Sequence, residues 1–290
     1  MCAVALRWCR ALILCSLLVV SACSSTTFVY NRLDFILPWY LDDYAELNGE
    51  QEEHLDTLLS PFLSWHRSQE LPRYIDVLEH IETTLDQPLT PEDVASISTE
   101  FERAWFRLEG EALDWLLELG ASLSDEQMDS FMAALWEQQH EYEEKYLERS
   151  EEEFYEDSYD NLVDSTQDYL GKLSPGQRDL LLESSRRLMR SDRAWLEERT
   201  VWLGQMGPLL QRDPGWQQRM RAAIAARNDT VSPQYQRIFE HNLGVINSTV
   251  AELLNSRTDK QDRRVRGKLA DLRQDLETLV AQGKKPEDKG

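Results

Sequence analysis

The chain has 290 residues, 41% hydrophobic and 29% charged, which is ordinary globular usage and enough to bury a sizeable core. Its 53 acidic and 31 basic side chains give a formal net charge of −22, which argues against nucleic acid as a partner because phosphate neutralisation needs a clustered basic surface. Only 12 glycines and 10 prolines leave little material for a turn-rich all-β fold.

The first element in chain order is a short apolar segment behind two arginines. Arg7 and Arg10 precede ten apolar residues, ALILCSLLVV, too few for the ~20 that a transmembrane helix needs. This arrangement is typical of a secretory signal peptide. Residues 20–23, Val-Ser-Ala-Cys, then match a bacterial lipobox, in which two small residues precede the cysteine that is acylated. We predict a lipoprotein signal peptide over residues 1–22 and lipidation of Cys23.

The cysteine count supports this prediction. The other three, Cys2, Cys9 and Cys15, all lie in the segment to be removed, so we expect no disulfide and no thiolate metal site. Ser24 stands where an aspartate would oppose sorting to the outer membrane. Two or three acyl chains anchor a protein stably, because each buried methylene contributes ~0.8 kcal/mol. We expect an outer-membrane lipoprotein that faces the periplasm and is tethered at Cys23.

From Cys23 onward the apolar residues recur at helical spacing, and no convincing run alternates with the period of a strand. Thr90, Ser124 and Ser174 each precede a residue suited to a first helical turn, so they are expected N-caps. Gly120 and Gly171 stand where the preceding helices should stop.

Short loops between these elements favour antiparallel neighbours. We predict an all-α fold, an antiparallel helical bundle or helical-hairpin array of about eight or nine helices, over residues 23–282. The segment 283–290 has no apolar content and is expected to be disordered.

Charge divides the helical domain into an acidic half, 23–170, and a mildly basic half, 171–282. The first holds 37 acidic and 7 basic side chains; from residue 171 to the end there are 16 acidic and 22 basic ones. Either the halves neutralise each other in part across an internal interface, or the acidic surface binds a partner.

The histidines are the first candidates for metal ligands. Glu137 and His140 form one E-x-x-H pair, but a di-iron bundle needs two such pairs and two further glutamates. His66 with Glu70, and His140 with Glu144, stand at the i,i+4 spacing typical of local ion pairs. We expect no catalytic residue, no metal and no cofactor.

The segment 28–47 is the most distinctive, because it combines aromatic residues with paired aspartates close to Cys23. One interpretation places this helix at a membrane surface, since Trp and Tyr favour the headgroup layer. The other treats the rings as core material, because the paired aspartates disfavour an anionic bilayer. We prefer the core interpretation. The polar residues that we expect to be buried or structural are Asn31, Asp34, Asp42 and Asp43.

A second segment mixes aromatic, basic and acidic side chains within ten residues. We expect it to form an interaction surface, which consists of Trp65, His66, Arg67, Glu70, Arg73 and Tyr74.

These two segments carry a family resemblance. The pattern Y-N-x-x-D-x-x-L-x-W-x-L-D-D-Y after a lipobox, then W-H-R-x-x-E-L-P-R-Y and capped L-T-P-E and L-S-x-x-Q helix starts, resembles an uncharacterised family of Gram-negative helical lipoproteins. The likeness covers roughly residues 23–210, and Pro38 replaces the usual leucine. It implies a helical envelope lipoprotein with no assigned activity. The helix starts alone are also similar to those of small periplasmic stress chaperones.

Three functions follow as expectations. The first is a non-enzymatic lipoprotein that acts through contacts with an unknown envelope protein. The second is a holdase-like periplasmic chaperone, which needs an exposed apolar concavity. The third is a metal- or carboxylate-dependent hydrolase that uses His66 or the pair Glu137 and His140.

Overall fold

A computed structural model describes residues 25–42 and 44–283 of the chain. The predictions for Cys23, Asp43 and residues 284–290 lie outside this part, as does the side chain of Asp42.

The described residues form twelve α-helices and one π-helical segment, with no strand among them. In chain order these are α1 (Ser25–Tyr30), α2 (Leu33–Asp42), α3 (Gly49–Trp65), the π-helical turn (His66–Glu70), α4 (Leu71–Thr84), α5 (Pro91–Ser122), α6 (Asp125–Leu147), α7 (Glu151–Leu170), α8 (Pro175–Arg187), α9 (Asp192–Leu209), α10 (Trp216–Ala226), α11 (Pro233–Asn255) and α12 (Asp259–Gly283). The all-α prediction is confirmed. The expected number of helices was too low, because short segments such as α1 and α10 have weak start signals. Gly283, assigned to the tail by the sequence, is the last residue of α12.

The predicted helix starts are confirmed by their hydrogen bonds. The Thr90, Ser124 and Ser174 side chains each accept from the backbone N–H three residues on, and the side chain at that position returns a bond to the cap N–H. These capping boxes satisfy two orphan amides each, which is why local sequence is enough to place the three boundaries.

The two glycine predictions have opposite outcomes. Gly171 ends α7 with φ 74°, a conformation that favours glycine, as predicted. Gly120 does not end α5, which continues to Ser122. A Cβ atom at Gly120 would lie 3.3 Å from side-chain atoms of both Met128 and Trp216, so this glycine permits close packing within the helix.

The C-terminal helix α12 runs along α4 and α7 and also contacts α1. Its buried seam of Val265, Leu276 and Leu279 enters two core clusters, one shared with α4 and one with α7 and α8. Elsewhere α11 packs on α5 and α8, α9 on α6, and α3 on α5. The first and last helices of the described part of the chain therefore meet beside α4.

Arginines of the basic half pair with carboxylates of the acidic half. These ion pairs are Arg212–Asp125, Arg221–Asp114, Arg227–Glu109, Arg266–Asp86 and Arg273–Glu82. Partial neutralisation between the halves therefore occurs across internal contacts. This pairing leaves α6 and α7 strongly acidic, because residues 124–170, which contain both helices, include 16 acidic and 2 basic side chains.

The aromatic residues of α1 and α2 are mostly outside the core. The side chains of Phe28, Phe35 and Trp39 are 62%, 72% and 65% exposed. The preference for the core interpretation is therefore wrong for these rings. Leu37 and Leu41 take the inner side of α2 instead and pack against a leucine cluster of α3 and α5. Over residues 25–42 and 44–283, no helix combines the length and the hydropathy needed to cross a membrane.

Candidate functional site

The π-helical turn owes its shape to a proline. Pro72 has no N–H to donate to the carbonyl four residues earlier, and its ring would clash with that carbonyl in a regular helix. The N–H of Leu71 bonds to the carbonyl of His66 instead, five residues back. One extra residue is thereby inserted into the turn, and such insertions recur at functional sites. Here it lies between α3 and α4 and positions His66 and Glu70.

His66 lies between two tyrosines from different helices. The hydroxyl of Tyr30 is 2.8 Å from His66 Nδ1, and that of Tyr74 is 3.4 Å from His66 Nε2. The rings of Tyr30 and His66 also stack, with centroids 5.6 Å apart. A neutral imidazole carries one N–H donor and one acceptor nitrogen, so one hydroxyl donates to the ring and the other accepts from it.

Burial favours the uncharged form of all three groups. It lowers the pKa of His66 to about 4, against a partial opposite effect of Glu70, and the charge of Arg67 lowers it further. Burial raises the pKa of Tyr30 to about 12, although Arg67 lowers it in part. The pKa of Tyr74 is also raised, first by burial and then by the charge of Glu70.

Glu70 is the buried charge of the site, with a side chain that is 0% exposed. Arg107 of α5 donates to it through Nε and Nη2, each at 2.8 Å, and Arg73 donates to the same carboxylate. Burial alone would raise the pKa of Glu70, but the hydrogen bonds and charges of Arg107 and Arg73 outweigh it and hold the pKa below its ordinary value. An ionised carboxylate therefore joins the π-helical turn to α5.

A second set of contacts joins this turn to both ends of the described chain. Arg67 Nη2 donates to Asn31 Oδ1 at 2.7 Å, and Asn31 Nδ2 donates to Gln282 Oε1 at 3.0 Å. The Arg67 guanidinium also lies 5.0 Å from the ring centroid of Tyr30. We call the set Tyr30, Asn31, His66, Arg67, Glu70, Tyr74 and Arg107 the junction network.

The expected interaction surface is therefore mostly an internal junction. Trp65, His66, Arg67 and Tyr74 are half-buried, whereas Arg73 is exposed. The surface prediction is wrong for Glu70, because its side chain is fully buried and its carboxylate is paired with the guanidinium groups of Arg73 and Arg107. It is not a group that a partner protein could reach.

The predictions of buried polar side chains also need correction. Asn31 is exposed, although it is hydrogen-bonded on both sides of its amide. Asp34 is exposed as well, and its carboxylate accepts a bond from the N–H of Phe35. Both are wrong as burial predictions because α1 and α2 lie on the surface of the body.

Two members of the network were not among the predicted site residues. Arg107 lies 37 residues after Glu70 in the chain, and no local spacing links a guanidinium to a carboxylate at that separation. Tyr30 was noted only as one of several aromatic residues. A tyrosine next to Asn31 gave no signal of its own that its ring, unlike that of Phe28, turns inward.

The fold does not bring the candidate metal ligands His66, Glu137 and His140 into one cluster. Within the described part of the chain, no cluster of three His, Cys, Asp or Glu side chains could hold a metal ion. His140 Nε2 lies 3.2 Å from Glu144 on the exposed side of α6, which is the local pair that the spacing indicated. The junction network contains carboxylate, imidazole and phenol groups, but these groups are hydrogen-bonded within the network.

These observations define a class: an acidic, all-α protein whose first and last described helices are joined at a buried, charge-paired π-helical turn. The chain belongs to a family of unknown function (DUF6279), which matches residues 43–236. This match contains the π-helical turn and Arg107 but begins after Tyr30 and Asn31. Neither the curated proteins nor the solved structures include a match to this chain.

Replacing Glu70 with glutamine should lower the free energy of unfolding by about 1.5–3 kcal/mol at pH 7, because Arg107 and Arg73 lose a charged hydrogen-bond acceptor. The lowered pKa of Glu70 means that its contribution is present above the ordinary pKa of ~4.3 and is lost as the pH falls. Urea unfolding at pH 7 and at pH 3 measures both effects. The control is Glu144→Gln, at 65% exposure, for which a change within ~0.5 kcal/mol is expected. Equal effects of the two substitutions would contradict the prediction.

His66 makes a separate prediction in a different pH range. Because burial lowers its pKa from 6.5 to about 4, the unfolded chain binds the proton more tightly, and stability falls as the pH decreases from 6.5 towards 4. His66→Gln should flatten this part of the stability curve, as urea unfolding at several pH values would measure. His140→Gln is the control, since that side chain is 72% exposed and should leave the curve unchanged. An unaltered slope in His66→Gln would disprove the assignment.

Proposed function

We propose that this protein is a membrane-anchored lipoprotein of the bacterial envelope, tethered at Cys23 in the outer membrane and facing the periplasm. Its helical body acts through protein–protein contacts and not as an enzyme. The observation that carries the anchor is the lipobox, Val-Ser-Ala-Cys, directly behind a ten-residue apolar run. The run is the length of a signal-peptide core and not of a membrane span.

The acidic surface of α6 and α7 supports a protein partner. Glu137 and Glu141 are exposed one turn apart on α6, next to Trp136, whose side chain is 41% exposed. Internal pairing uses only a few of the carboxylates of this tract, among them Asp125 and Asp157. An exposed aromatic ring among unneutralised carboxylates is suited to a partner with a basic, partly apolar surface.

The anchor is tested by Cys23→Ala. We expect wild-type protein in the outer-membrane fraction and the variant in the soluble periplasmic fraction, because the acyl chains supply the stable attachment. The control is Cys15→Ala, which changes a cysteine inside the apolar run and should leave the protein in the membrane. The intact mass of both proteins is also measured, and wild-type protein without acyl chains on Cys23 would refute the proposed anchor.

The partner is tested by cross-linking in living cells, followed by purification and mass spectrometry. We expect one dominant companion, and Glu137→Lys/Glu141→Lys should reduce its recovery at least several-fold because the charge of the contact surface is reversed. The matched control, Glu183→Lys/Glu197→Lys, makes the same change in charge at exposed positions of α8 and α9.

The outcomes of this experiment separate the functions. Recovery that is equally reduced in both variants, or in neither, would contradict a specific role for α6. A broad set of unrelated envelope proteins that grows under heat stress would favour the holdase-like function instead.

A further inference from the structure

The surface of α1 and α2 carries an aromatic face that the fold does not use. Phe28, Phe35 and Trp39 are the three most exposed large apolar side chains in the described part of the chain. Tyr40, beside Trp39, is 53% exposed, and its hydroxyl lies 3.3 Å from that of Tyr44. Large rings that lie together on a surface commonly mark a contact site.

Two of the three rings share one side of α2, because positions 35 and 39 are four residues apart and therefore return to the same face. Phe28 lies on α1, before a turn in which the N–H of Arg32 bonds to the carbonyl of Val29, three residues back, at 3.0 Å. All three rings are exposed to solvent. We call Phe28, Phe35 and Trp39 the aromatic face.

Other residues of α1 and α2 attach these two helices to the rest of the fold. Leu37 and Leu41 pack against the leucine cluster of α3 and α5, and Tyr30 enters the cluster that α4 and α12 share. The body therefore fixes the position of α1 and α2 and leaves most of the aromatic face exposed.

The place of the aromatic face in the sequence and the charges around it indicate what it contacts. Phe28 follows Cys23 by five residues, which reach at most ~18 Å when extended, so a lipid on Cys23 would hold this face near the bilayer. From Thr26 to Leu41 the charged residues are Arg32 and Asp34, which balance each other, and Asp42 and Asp43 follow, so an anionic surface would repel the end of this segment. A zwitterionic surface fits that balance, and Trp prefers the headgroup layer.

We propose that the aromatic face lies in the headgroup layer of a zwitterionic phospholipid surface and orients the helical body on the membrane. This inference rests on the proposed anchor at Cys23, which brings the face to the bilayer. The ten residues of α2 span ~15 Å, which is long enough for this helix to lie in the membrane plane, as interfacial helices do.

The test uses the full-length protein in phosphatidylcholine vesicles, with and without bromine on the acyl chains, and measures tryptophan fluorescence. Bromine quenches rings that enter the bilayer. We expect a loss of emission in wild type that disappears in Trp39→Phe and is retained in Trp136→Phe, the control at the other large exposed tryptophan. The unfolding midpoint of Trp39→Phe should equal that of wild type, because the replaced side chain is 65% exposed.

Intact mass of the same samples, which reports acylation of Cys23, separates the two proposals. Acylated protein without quenching that depends on Trp39 overturns the aromatic face and leaves the anchor in place; a doubled mass would then identify a second copy as the occupant. Protein without acylation overturns the anchor. In that case quenching at Trp39 in added vesicles still supports the face, and its absence overturns both.

Discussion

The buried carboxylate of Glu70 is the constraint on which the arrangement of the helices depends. An ionised carboxylate removed from water costs several kcal/mol unless strong donors surround it. Arg107 meets this requirement from α5, with two donors in a planar fork. The π-helical turn is therefore fixed against α5, and this fixes the adjacent His66 and Arg67 as well. Through those two residues the turn holds α1, and through α1 the end of α12.

This connection has a mechanical consequence for a tethered protein. If a lipid on Cys23 holds the chain, force between membrane and body must pass through α1. Tyr30 and Asn31 sit at the end of α1 and are bonded to the π-helical turn and, through Asn31, to Gln282. The tether is thus continuous with the body within eight residues of Cys23. Such a connection favours one orientation of the body over free rotation on a linker.

Local signals and long-range contacts divide what the sequence could predict. The N-caps Thr90, Ser124 and Ser174 were predicted because each start signal involves only a few consecutive residues. The pairing of Glu70 with Arg107 was not, since a buried salt bridge between helices has no characteristic spacing. The direction of the rings on α2 was predicted incorrectly for a related reason. Aromatic and leucine side chains occupy both sides of that helix, so hydropathy alone cannot tell which side faces the core.

The two sides of α1 and α2 pose different physical questions. The residues on the inner side stabilise the fold, because Leu37 and Leu41 pack into a leucine cluster and Tyr30 is hydrogen-bonded to His66. The residues on the outer side contribute little to stability. Full burial of a side chain the size of Phe35 contributes ~1.5–3 kcal/mol. Because Phe35 is 72% exposed, most of that contribution is absent. Polar residues at the three positions of the aromatic face would leave the fold about equally stable and more soluble. The rings therefore need a reason outside the folded body, and the nearest apolar phase that this sequence indicates is the one that lipid on Cys23 would bring within five residues of Phe28.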